Sequence, residues 1–195
     1  AATAGRFPGP SAEAITGGLA DYDENPSRLA LQHDGGQLAS VLMPLASEIV
    51  TSIVGFTELG RNGALYNVAA VFQHGRIIGV YRKIHPAIRR SVYTPGDQTP
   101  VFRVGELTFG ILICNDSNHP DLARRMVALG ATALLIPTNN TLPNERTSLA
   151  VNAAARATDI GLATENRVWV IRADVAGRSG HLSCFGCSEI VDQQG

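Results

Sequence analysis

The sequence predicts an α/β fold, and three stretches carry that prediction. First, Leu107–Ile113 is an apolar run rich in β-formers, and it delivers Cys114 into a polar turn, Asn115 to His119. Pro120 then opens an amphipathic helical pattern, DLARRMVAL. Second, Leu65–Gln73 and Arg76–Arg82 are apolar strands joined by His74-Gly75, the spacing of a β-hairpin. Third, the buried strand pattern Ala131–Pro137 is followed by the longest helical pattern, from Asn144 to Glu165, and by another strand at Arg167–Ala173. A strand that feeds a polar turn and then a helix is how such folds present a reactive side chain.

Taken in order, residues 1–35 are rich in Gly, Pro, Ala and Asp and are expected to be mostly loop. Leu38, Val41, Leu42, Leu45, Ala46 and Ile49 follow helical spacing across 36–49, and Val50–Phe56 reads as a buried strand. Lys83 stands at the far end of the second hairpin strand, ahead of Pro86 and a loop over residues 86–99. Val101–Val104 is a short strand that turns at Gly105-Glu106 into the cysteine strand, and Gly130 stops the helix that follows it. Cys184–Asp192 is expected as a last strand, and Asp192 to Gly195 reads as a turn.

Composition narrows the function. At 195 residues, 45% hydrophobic and 17% charged, the chain is of a size and composition to bury a substantial core as one domain. Sixteen basic against seventeen acidic residues give a net charge of −1, so neither nucleic acid nor an anionic membrane is expected as a partner. No apolar run reaches the roughly 18 residues of a membrane span, and AATAGRFPGPSAEA holds no apolar segment of signal-peptide length. The first residue is not Met, which leaves open a processed, trimmed or incomplete N-terminus. Three cysteines do not make a disulfide framework, and a reducing, cytoplasmic setting is expected.

The chemistry centres on Cys114. A free cysteine at a strand end is by itself more often a packing residue, and a thiol becomes a nucleophile only with a base or a positive charge near it. Lys83 can supply that charge and stabilise an oxyanion as a carbonyl is attacked. A carboxylate would complete the set by taking the thiol proton and returning it to a leaving amine. Backbone N–H groups of the Cys114–Asn115 turn are further oxyanion donors. Asn139 and Asn140 follow the next strand, where α/β sheets place ligands, and are candidate substrate contacts alongside Asn115. Asp116 and Asn118 could position the nucleophile's turn or cap the helix that follows, and helix capping is the expected role. His181, Cys184 and Cys187 could hold a metal or form a redox pair, but no second C-x-x-C accompanies them and no metal is assigned.

YRKIHP, TPGD and FGILICNDSNHPDLAR together resemble the carbon–nitrogen hydrolase (nitrilase) superfamily. LYNVAAVF before the lysine, and GATALLIPTNN and AARATDIGLATENRVWVIRADVAG after the cysteine, continue the resemblance in family order over roughly 36–195. It implies a four-layer α-β-β-α sandwich of the nitrilase type, shortened at both ends, with 1–195 as a single domain whose residues 1–35 match poorly. It also implies a homodimer or larger homo-oligomer, a small-molecule amide or nitrile substrate, and no cofactor.

The resemblance makes Cys114 the nucleophile and Lys83 its cationic partner. The family's carboxylate is a glutamate at the end of the first strand-and-turn unit, in a P-E motif followed by T-G. Glu13, in AEAITGG, is the matching position, although Ala12 replaces the proline and no apolar strand precedes it. Glu58, at the end of IVGFTE, competes with it, or is simply a solvated hairpin end. A second glutamate usual after the lysine is missing from HPAIRRSVYTPGD, where Arg89 and Arg90 stand; they could meet an acidic substrate group or be two solvated arginines of the loop. The activity implied is thiol hydrolysis of an amide or N-carbamoyl amide through a thioester. The alternatives are an inactive or truncated member acting as a binding or scaffold protein, a nitrile hydrolase, or an acyl transferase using the same cysteine.

Overall fold

The computed structural model describes residues 25–34, 36–87, 92–142, 145–179 and 182–195. Glu13, Arg89, Arg90 and His181 lie outside the described residues. The elements fall into two compact units that divide between Gln98 and Thr99.

In the first unit a short helix, α1 (Gln37–Leu42), precedes β1 (Ser52–Leu59), β2 (Leu65–Gln73) and β3 (Arg76–Arg82). These strands form an antiparallel sheet in the order β1-β2-β3. The helical spacing read to Ile49 stops early because Pro44 has no N–H to continue the ladder, and the chain tightens into a 3-10 turn over Met43–Leu45. The predicted hairpin is present, with Gln73 paired to Arg76. His74 and Gly75 take φ values of 48° and 73°, the left-handed pair that a two-residue loop requires to match strand twist. Val54, Phe56, Val68, Ala70 and Phe72 alternate onto one face and pack with Leu38 and Leu42 of α1. The other face carries Thr57, Asn67, Ala69, Val71 and Tyr81, and these are buried as well.

The second unit runs β4 (Val101–Val104), β5 (Leu107–Ile111), α2 (Pro120–Ala128), β6 (Ala133–Thr138), β7 (Thr141–Leu142), α3 (Glu145–Asn166), β8 (Trp169–Asp174), β9 (Ala176–Ser179), β10 (Leu182–Phe185) and β11 (Glu189–Val191). Its main sheet has the order β11-β8-β6-β5-β4. The central strands β5, β6 and β8 are parallel and the two edge pairings antiparallel. Parallel neighbours need long crossovers, which α2 and α3 provide. Ile111, Leu134, Ile136 and Val170 are almost wholly buried, the mark of a sheet covered on both faces.

A small sheet, β7-β10-β9, was not foreseen. The single strand expected over Cys184–Asp192 is two strands, broken at Gly186, whose φ is 67°. The parallel core aligns the C-terminal ends of β5, β6 and β8 on one edge, where they lead to Cys114, to Asn139 and Asn140, and to Asp174.

Gly110 of β5 seats α2 against this sheet. A Cβ there would fall 2.4 Å from Met126 Sδ and 2.9 Å from its Cβ and Cγ. Gly110→Ala is therefore expected to lower stability by about 1–3 kcal/mol, read as a fall in the urea midpoint. Adding Met126→Ala should recover part of that loss, and an unchanged midpoint for the single variant would contradict the close approach.

Candidate active site

The strand β5 ends in an unusual backbone. Cys114 has a φ of 47°, in the left-handed region where a side chain costs about 1–2 kcal/mol. Local hydrogen bonds hold it there. Residues Cys114–Asn118 form a 3-10 turn, in which the Asp116 N–H donates to Ile113 O at 3.0 Å and the Ile113 N–H to Asp116 Oδ2 at 3.3 Å. Asp116 thus caps the cysteine's own turn rather than helix α2. Ser117 Oγ donates to Cys114 O at 2.8 Å, fixing the carbonyl of the strained residue. Asn115 Oδ1 accepts from Asn118 Nδ2 at 3.1 Å on the turn's outer side.

Ser117 is held in turn by a buried cation. Arg172 Nη2 donates to Ser117 Oγ at 3.1 Å, and Nη1 donates to Thr138 Oγ1 at 2.6 Å. The same guanidinium grips Asp159 through Nε and Nη2 at 2.5 and 2.6 Å. Arg172 is 3% exposed and Asp159 fully buried. Burial opposes the charge on Arg172, yet its hydrogen bonds to Asp159 and the Asp159 charge outweigh that and raise its pKa. One side chain of β8 therefore ties together the cysteine turn, the end of β6 and helix α3.

Beside the thiol stands Asn140, its Oδ1 3.9 Å from Cys114 Sγ. Asn139 and Asn140 are both buried. The Asn140 N–H donates to Asp174 Oδ1 at 3.0 Å, and the Val175 N–H donates to the same oxygen at 2.9 Å. Burial pushes the Asp174 carboxyl up, against the lowering effect of those backbone donors.

Of the residues expected from the sequence, the second unit gathers Cys114, Asn115 and Asn140 at one strand edge, with Asn139 adjoining. Arg172, Asp159 and Asp174 were not among the expected site residues. The available signal was Arg172 and Asp174 inside the apolar run RVWVIRAD, since charges in a central strand need buried partners.

Lys83 belongs to the first unit and is 4% exposed. Its N–H donates to Asn67 O and its carbonyl accepts from the Gly96 N–H, both at 2.8 Å. Strand alternation puts it on the sheet face of Asn67 and Thr57, opposite Arg82.

Glu58 is not the solvated hairpin end that its position suggested. It is 2% exposed and on the α1 side of the sheet. Arg82 Nε and Nη2 donate to it at 2.6 and 2.9 Å, and His33 Nδ1 lies 2.5 Å away. The Arg82 guanidinium also stacks 4.4 Å from the centre of the Tyr66 ring. Burial alone would raise the Glu58 pKa, but the Arg82 hydrogen bonds and charge, with help from His33, hold it below 4.5.

Two polar side chains of α3 have structural partners. Asn166 Nδ2 donates to Leu162 O at 2.9 Å, and Arg156 pairs with Glu189 at 3.4 Å. Cys187 is an exposed free thiol, and among the described residues no group of three or more His, Cys, Asp or Glu could hold a metal. No helix of the described residues is long and apolar enough to cross a membrane.

Two outcomes follow from these buried pairs. Arg172→Met should destabilise the protein by about 3–5 kcal/mol, because it leaves the fully buried Asp159 without its partner. Adding Asp159→Leu should restore much of that loss in a denaturation series, and no restoration would contradict the pairing. The depressed Glu58 pKa means that its stabilisation is complete above the unfolded value near 4.5 and is lost as pH falls through the lower, folded value. Urea midpoints should therefore fall below about pH 4.5, and less steeply in Glu58→Gln. Parallel pH curves would contradict the assignment.

Comparison with known proteins converges on one family. The carbon-nitrogen hydrolase family model matches residues 12–195, so the match begins well upstream of residue 36. A nitrilase from Pyrococcus abyssi is 31% identical over 158 residues, 80% of this chain and 56% of its own length. An N-carbamoylputrescine amidase from Oryza sativa subsp. japonica is 30% identical over 166 residues, 77% of this chain and 55% of its own. The crystal structure of a carbon-nitrogen hydrolase from Helicobacter pylori G27 superposes with a TM-score of 0.78 at 26% identity, covering 90% of this chain and 66% of that one. The chain thus spans little more than half the length of the curated relatives it matches. Its α/β fold is of the nitrilase type, as the motifs implied. The chain belongs to the carbon-nitrogen hydrolase family.

Proposed function

We propose that the protein is a thiol hydrolase that cleaves a non-peptide carbon–nitrogen bond of an amide or N-carbamoyl amide. The observation that carries this reading is the presentation of Cys114 at a φ of 47° on the end of β5, in a turn braced by Ser117. The relatives named nitrilase and N-carbamoylputrescine amidase support the substrate class. Glu13 takes the thiol proton, and the thiolate forms a C–S bond to the carbonyl carbon. Lys83 and backbone N–H groups at the Cys114–Asn115 turn stabilise the oxyanion. The C–N bond then breaks as Glu13 returns the proton to nitrogen, and ammonia or an amine leaves. Water, deprotonated by the same glutamate, attacks the thioester and breaks the C–S bond, and the proton returns to sulfur. Asn115, Asn139 and Asn140 contact the substrate.

Glu13 is preferred to Glu58 because Glu58 is committed to Arg82 and His33 on the sheet face opposite Lys83. The reading takes 1–195 as one hydrolase domain and needs no cofactor or metal. A homodimer or larger assembly and a reducing, cytoplasmic setting belong to it, the latter supported by the free thiols Cys114 and Cys187. Nitrile hydrolysis by the same cysteine is a second reading, favoured by the nitrilase relative.

Ammonia release over a panel of amides, N-carbamoyl amines and nitriles tests the proposal. Cys114→Ala and Lys83→Ala should abolish turnover, and Glu13→Gln should lower kcat by about 100-fold or more. Glu58→Gln should remain active with lowered stability. Activity that survives Cys114→Ala would overturn the mechanism, and activity that survives Glu13→Gln but not Glu58→Gln would reverse the choice of base.

A further inference from the structure

Asn140, beside the thiol, and Asp174, which accepts the Asn140 N–H, each carry a buried polar atom with no hydrogen-bond partner among the described residues. Asp174 is 6% exposed, and while its Oδ1 accepts the Asn140 and Val175 N–H groups, its Oδ2 has no hydrogen-bond partner among the described residues. Asn140 is 8% exposed, and its Nδ2 is likewise without a partner. Its other amide atom, Oδ1, is the one 3.9 Å from Cys114 Sγ. Buried polar groups are normally paired, and an orphaned carboxylate oxygen is especially costly.

The surrounding charges sharpen what would satisfy this pair. Arg172, the cation whose field reaches Asp174, is held bidentate by Asp159. That cation is taken. The Asp174 charge is answered by the backbone N–H groups of Asn140 and Val175, by a weaker backbone contribution from Cys187, and by the more distant field of Arg172. Burial already shifts this carboxyl toward its neutral form, the sign expected of a carboxylate short of a cation. An ionised carboxylate only accepts hydrogen bonds, so its free oxygen calls for an N–H donor, best a charged one.

We propose that Asp174 and Asn140 form a substrate subsite beside Cys114 that takes a cationic, N–H-bearing group, with Asp174 Oδ2 as its acceptor and Asn140 Nδ2 donating to a neighbouring substrate oxygen. Amides whose acyl part carries an ammonium group are then the preferred substrates. This rests on Cys114 being the nucleophile of an amide hydrolase.

Asp174→Asn gives a clean test, because asparagine keeps the oxygen that accepts both backbone N–H groups and exchanges only the free oxygen for a donor. The substrates are 4-aminobutanamide and its uncharged isostere pentanamide. Wild-type kcat/KM should favour the ammonium compound by about tenfold or more, and Asp174→Asn should cut that ratio by about tenfold. A merely structural loss lowers both substrates together and leaves the ratio unchanged, which would overturn the subsite, as would a wild-type preference for pentanamide. Calorimetric binding of 4-aminobutanamide to Cys114→Ala, with and without Asp174→Asn, gives a readout independent of turnover. Tenfold weaker binding in the double variant is expected, and equal binding, or none to either, would overturn the proposal. Asp174-dependent binding without ammonia release from the wild type would sink the hydrolase reading and leave the subsite standing. Hydrolysis of both amides with a ratio indifferent to Asp174→Asn would do the reverse.

Discussion

The buried contact between Arg172 and Asp159 is the interaction on which the cysteine turn depends. A left-handed backbone at a residue with a side chain persists only where its surroundings over-determine it. Here Ser117 fastens the Cys114 carbonyl, and Arg172 fastens Ser117 while spending its remaining donors on Asp159 and Thr138. Desolvation makes such a pair expensive, and its return is geometric: four elements far apart in sequence meet at one planar group. The thiol is therefore placed by a network whose members never need to touch a substrate.

A second constraint is the two-residue period of a β-strand. Arg82 and Lys83 are adjacent in sequence, yet they serve opposite faces of the same sheet. Arg82 closes the apolar core of the first unit by pairing with Glu58 and stacking on Tyr66. Lys83, with its backbone fixed by Asn67 and Gly96, is buried on the other face. A one-residue register slip would exchange a structural cation for the proposed catalytic one. This alternation also puts Glu58 and Lys83 on opposite faces of the sheet.

Much of this was legible in the sequence where the signal is local. The β2–β3 hairpin follows from His74-Gly75 between two apolar runs, and α2 follows from Pro120 and the apolar spacing behind it. Cys114 was found because an apolar run ended on a thiol before a polar turn. What escaped is non-local. Whether Glu58 is solvated or buried depends on Arg82 and His33, both distant in sequence. The small sheet β7-β10-β9 joins segments from both sides of α3. Arg172 looks like any arginine until its partners, Asp159, Thr138 and Ser117, are brought to it by the fold. Pro44 marks the end of α1 in the sequence itself, although the apolar spacing continues past it.

The proposed hydrolysis runs through a covalent acyl intermediate on Cys114. Rapid acid quench of the protein turning over an amide, followed by peptide mass mapping, would trap it. A mass increase equal to the substrate's acyl group is expected on the peptide containing Cys114, appearing with turnover and decaying as substrate is consumed. Steady turnover with that peptide unmodified, or with the acyl group on Cys187 instead, would contradict it.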